Sequence, residues 1–170
     1  MAKTYEPIAT TTLGSAAASY TFTSISQAYT DLILVFAGTM TSADYVQFQV
    51  GNGSVDTGAN YSHTRIVGNG TLATSGRTSN GSNIFTPQPM NTNQNNLIIN
   101  FQNYSNTATY KTTIMRSNTP ATDGGATGSL SSTVGLWRSY SAINTIKMYT
   151  YGGQTFAAGS TFTLYGIEAA

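Results

Sequence analysis

Histidine occurs once in this chain, at His63, so a Ser-His-Asp triad or an imidazole metal site would rest on that residue alone. No serine near it carries the small-residue turn of a nucleophile elbow, and a structural or surface role is the expectation for His63. The carboxylates are Glu6, Asp31, Asp44, Asp56, Asp123 and Glu168. Glycoside hydrolysis needs two of them poised across a sugar, and Asp44 and Asp56, which flank the segment 45–50, are the pair that could converge. The plainer reading gives Asp56 and Asp123 to turns and Asp31 to the entry of a strand. Neither Asp56-Thr57-Gly58 nor Asp123-Gly124-Gly125 continues into the alternating oxygen ligands of a calcium loop. Cysteine is absent, which removes disulfides and thiolate metal sites. The expectation is therefore a chain with no catalytic residue, no metal ligand and no cofactor, and not an enzyme.

Tyrosine is the other residue type with chemical reach, eleven of them against one tryptophan, Trp137. A tyrosine ring can stack on a sugar or anchor an interface while its hydroxyl stays wet. Tyr61, Tyr104, Tyr140, Tyr149 and Tyr151 fall in or beside turn clusters. Of these, Tyr61, Tyr104 and Tyr140 are the candidates for glycan or interface contacts. Five Asn-X-Ser/Thr triplets, at Asn52, Asn60, Asn69, Asn80 and Asn103, follow from the abundance of those residue types and are read as chance.

The elements that must position these groups read as strands. Only 8% of the residues are charged, against about 25% in ordinary soluble domains. Polarity comes from Ser, Thr and Asn, which suit β-structure and turns. The seven basic residues are scattered from Lys3 to Lys147 without a cluster, so no nucleic-acid partner is expected. The start of the chain lacks an apolar signal region and no run is long enough for a membrane span, so no secretory signal and no membrane partner are expected either. Alternation predicts strands at residues 19–23, 45–50, 61–67, 129–138 and 161–167, with Phe162, Leu164 and Gly166 on one face of the last. Gln47 and Gln49 are expected to face out, opposite Val46, Phe48 and Val50. The continuous apolar run at 30–37 reads as a strand buried on both faces. Further strands are expected at 97–101 and 110–116 and around Ile143, Ile146 and Met148, and Ile84-Phe85 starts a short apolar patch stopped by Pro87 and Pro89. Residues 51–60 and 68–83 read as loops, and turns are expected at 103–106 and 123–125. No window carries helical apolar spacing. The fold class is all-β, a single β-sandwich or jelly roll of eight to ten strands over residues 16–170. Residues 1–15 read as an extended N-terminal arm, with Tyr5, Ile8 and Leu13 as its partner-binding anchors and Pro7 arguing against a central strand.

Three stretches, taken in order, carry a resemblance: Phe22-Thr23-Ser24-Ile25-Ser26-Gln27-Ala28-Tyr29-Thr30-Asp31-Leu32-Ile33-Leu34-Val35, Asn100-Phe101-Gln102-Asn103-Tyr104-Ser105, and Phe156-Ala157-Ala158-Gly159-Ser160-Thr161-Phe162-Thr163-Leu164-Tyr165-Gly166-Ile167. This pattern resembles small β-sandwich virion proteins of tailed phages of marine and cyanobacterial hosts. The resemblance implies a non-enzymatic structural module located in the virion and commonly a homotrimer, with no catalytic residues to carry over. It implies either a capsid decoration protein, bound to the major capsid protein or another virion protein, or a receptor-binding tip of a tail or head fibre that contacts a host surface glycan. The chain's length, without a coiled-coil shaft, favours decoration.

Overall fold

A computed structural model describes residues 5–120 and 128–168. The described residues contain no helix and thirteen strands: β1 (Glu6–Thr12), β2 (Ser19–Phe22), β3 (Asp31–Gly38), β4 (Val46–Asn52), β5 (Ser54–Val55), β6 (Tyr61–Gly68), β7 (Ala73–Gly81), β8 (Ile84–Phe85), β9 (Asn95–Gln102), β10 (Lys111–Thr119), β11 (Ser129–Trp137), β12 (Thr145–Thr150) and β13 (Thr161–Ile167). They form two antiparallel sheets that pack as a sandwich. The larger has eight strands in the order β1-β13-β3-β9-β10-β11-β6-β7. The smaller has the order β2-β12-β4-β5, with β8 also paired to β4.

Period-two alternation builds the core. Leu32, Leu34 and Phe36 of β3, Leu97, Ile99 and Phe101 of β9, and Phe162 and Leu164 of β13 all point to one side of the larger sheet and are buried. Val46, Phe48 and Val50 of β4 and Ile146 and Met148 of β12 meet them from the smaller sheet. Aromatic pairs join the layers: the Phe48 and Phe101 rings lie 5.6 Å apart edge to face, and Tyr20 stacks on Phe162 at 5.1 Å.

Several expectations need correction. Residues 6–12 are not a free arm: β1 is an edge strand of the larger sheet, paired antiparallel with β13 of the same chain. Its ladder slips between Pro7 and Ala9, as suits a proline that cannot donate to a ladder and sits at an edge. Residues 73–81, within the segment expected as a loop, form β7, a nine-residue edge strand paired with β6. Its ladder is made by the backbone, and its mostly exposed polar side chains gave no apolar signal. Gln47 and Gln49 are buried, because the connection from β7 to β8 covers their face of β4 and the Ser82 carbonyl accepts from the Gln49 amide at 2.9 Å. The run at 30–37 is buried on one face only: along β3, residues alternate between fully and partly buried. The turn at 103–106 forms as expected, with Asn103 in the left-handed region at φ 50° and the Asn106 N–H donating to the Asn103 carbonyl at 3.1 Å. The turn expected at 123–125 lies outside the described residues.

Candidate functional site

The two carboxylates that could have formed a hydrolytic pair are both committed to structure. Asp44 is buried, and its carboxylate accepts backbone N–H groups from Tyr45 at 2.7 Å, from Gly152 at 2.8 and 2.9 Å to its two oxygens, and from Gln154 at 3.3 Å. Asp56 accepts from Trp137 Nε1 at 2.8 Å, Asn60 Nδ2 at 2.9 Å and the Gly58 N–H at 2.8 Å. Burial pushes the Asp56 carboxyl up, but those three donors outweigh it and hold the group below its ordinary value. Neither is placed as a free general acid or base. Asp31, at the start of β3, accepts the Asn103 N–H at 2.6 Å and ties the 103–106 turn to that strand. Among the described residues no cluster of His, Asp and Glu could hold a metal ion.

The tyrosines divide. Tyr61 and Tyr104, expected at exposed turn positions, are fully buried and cannot reach a glycan. The Tyr61 hydroxyl crosses between the sheets, where it accepts from the Val50 N–H at 3.1 Å and faces the carbonyls of Val50 and Asp56 at 3.0 and 2.9 Å. The Tyr104 hydroxyl donates to the Ser26 carbonyl. Burial raises the pKa of both phenols. Tyr140 is exposed, its ring 4.9 Å from that of Tyr110, and the hydrogen bond with Tyr110 raises its pKa. Of the arm anchors, Tyr5 is exposed, whereas Ile8 and Leu13 pack against the core of their own chain and are not free for a partner.

His63 lies on the inward face of β6, edge-on to the Phe85 ring at 4.6 Å. It is buried, and neither ring nitrogen has a hydrogen-bond partner. Burial and then the neighbouring Arg65 cation lower its pKa from 6.5 to about 4.

A recess opens beside the Phe85 ring on which this histidine packs, where β6 and β7 meet the β4–β8 edge of the smaller sheet. It is a groove of about 470 Å³, inside the range of small-ligand sites. Tyr45 and Tyr151 stand on its rim, Phe85 and Arg65 on its wall, and the side chains of Gln47, Thr78, Ser82 and Asn83 also line it. The Tyr151 N–H donates to the Tyr45 carbonyl at 3.0 Å, and the Asp44 carboxylate accepts from Tyr45 itself and from Gly152 next to Tyr151, so it holds the two rim segments together. The guanidinium of Arg65 lies 5.1 Å over the Phe85 ring and against Gly76 of β7, where a Cβ would stand 3.0 Å from Cζ. Tyr151, expected beside a turn, is exposed there, whereas nothing in the turn pattern pointed to Arg65 or Tyr45. The available signal was parity: Arg65 shares the inward register of Tyr61, His63 and Val67, an unusual place for a cation.

No family model, no curated protein and no solved structure matches the chain.

Proposed function

We propose that this chain is a non-enzymatic structural module that works by assembling with other protein copies through the outer face of its larger sheet. The setting that best fits its composition and its resemblance is the virion of a tailed phage, with the protein a capsid decoration protein bound as a homotrimer to the major capsid protein.

The observation that carries this reading is the side of the larger sheet turned away from the smaller one. Strand register aligns Ile33, Asn100, Ile114 and Val134 in one row across β3, β9, β10 and β11. The next row runs Val35, Ile98, Arg116, Ser132 and Ile66. Ile66, Val134 and Leu130 are 58%, 55% and 68% exposed, on a face whose described strand residues include only three charges, Asp31, Arg77 and Arg116. Three large apolar side chains this exposed, on a sheet face with so few charges, are the kind of surface feature that interaction sites carry. Eight strands at about 4.8 Å spacing, each about 20 Å long, present on the order of 700 Å², close to what one partner of a standard interface buries. The run at 30–37 has the composition of a strand covered on both sides, and association would supply the second cover.

The test is the copy number of this chain in purified virions relative to the major capsid protein. A ratio matching the repeat of the shell lattice is expected. Absence from the particle, or a few copies per virion, contradicts decoration. The second reading, a fibre tip that binds a host glycan, is favoured by the open groove with its rim tyrosines and predicts the low copy number.

A further inference from the structure

Arg65 needs an acceptor that the protein does not supply. Its Nη1 is screened from solvent and makes no hydrogen bond. Among the described residues lining the groove it is the one charged side chain, so no carboxylate faces it there. Behind it, beyond the Phe85 ring, the two nitrogens of buried His63 are also unpartnered. A polar group withdrawn from water without a partner destabilises the fold, and a cation more so. The groove wall thus carries a cation that meets no acceptor of the described residues, and an anion in the groove would be drawn to the part of the guanidinium that faces it. The planar guanidinium fork suits a carboxylate, which can accept two of its N–H donors at once.

The rest of the groove narrows the ligand. Tyr45 and Tyr151 line the groove at exposed positions, Tyr151 being 71% exposed. The amides of Gln47 and Asn83 and the hydroxyls of Thr78 and Ser82 offer both donors and acceptors. We propose that the groove between β6–β7 and the β4–β8 edge binds a carboxylate-bearing sugar, a uronic or sialic acid unit of an acidic polysaccharide. Its carboxylate meets Arg65, its hydroxyls meet the amides and hydroxyls, and a ring face stacks on the rim tyrosines. An acidic peptide would use Arg65 and leave most of the polar lining unmatched. The site lies away from the outer face of the larger sheet and does not depend on the assembly role.

Isothermal titration of the full chain with tetragalacturonate and with sialyllactose tests this, with maltotetraose as the neutral control and a short polyglutamate as the peptide control. Saturable binding of at least one acidic sugar is expected, weakened by salt, with no binding of maltotetraose. Arg65→Met should weaken it tenfold or more and Arg65→Lys less. Tyr151→Ala, at an exposed position that leaves the fold intact, should weaken it severalfold. Binding of neither acidic sugar overturns the proposal, as does undiminished affinity in both Arg65→Met and Tyr151→Ala. Binding of polyglutamate in place of the sugars overturns it in favour of an acidic peptide.

Discussion

At pH 7 the His63 imidazole is neutral, since burial and the Arg65 cation both disfavour its charged form. Its pKa is about 4 in the folded chain against 6.5 unfolded, so between those values the unfolded chain binds more protons. The contribution of His63 to stability is full above pH 6.5 and is lost as pH falls toward 4, by up to about 3 kcal/mol. Urea unfolding across this window should show that decline in the native chain, and His63→Phe, which keeps a ring against Phe85, should flatten it. Equal declines in both would mean that other groups carry the acid sensitivity. Individual residues were only partly legible in the sequence. A structural role for His63 and a turn role for Asp56 could be read from the absence of catalytic partners and from the neighbouring glycine. The burial of Tyr61 and Tyr104 could not, because each stands at a strand or turn boundary and its hydroxyl finds its partners far along the chain or across the sandwich.

Strand geometry places Gly166 where the inward register of β13 would otherwise direct a side chain into the ring of Tyr29. Gly166→Ala must displace that ring, and overpacking of this kind typically costs 1–3 kcal/mol, which lowers Tm by roughly 3–10 °C. A thermal melt checks it, and the double variant with Tyr29→Ala should lose less than the sum of the two single changes. An unchanged Tm for Gly166→Ala would contradict the packing described. Strands with an apolar face were legible because burial writes period two into the sequence: β4, β6, β9, β11 and β13 all match alternation or apolar runs. Strands held mainly by backbone pairing left no such trace. Thus β7 was read as loop from its glycines and polar residues, and β1 was read as an arm although it covers the edge of β13. That cover also limits edge-to-edge pairing, which the Pro7 irregularity limits further on the other side of β1.

Across the whole molecule, the two faces of the larger sheet differ in what they meet. The inner face packs on the smaller sheet, while the outer face presents Ile66, Leu130 and Val134 to solvent with few charges among its strands. A chain with 8% charged residues has little electrostatic means of keeping such faces apart, and the proposed association would cover them. The fold class was legible from patterning and composition. The proposed assembly has only a tension behind it in the sequence, since the run at 30–37 asks for two covers and the fold provides one. The direct measurement is sedimentation equilibrium of the full chain at micromolar concentrations, alongside the double variant Ile66→Glu/Val134→Glu. The account predicts three chain masses for the native protein, and one chain mass with an unchanged far-ultraviolet spectrum for the variant. A native protein that sediments as a single chain, or a variant that stays trimeric, would contradict the assignment of this face to assembly.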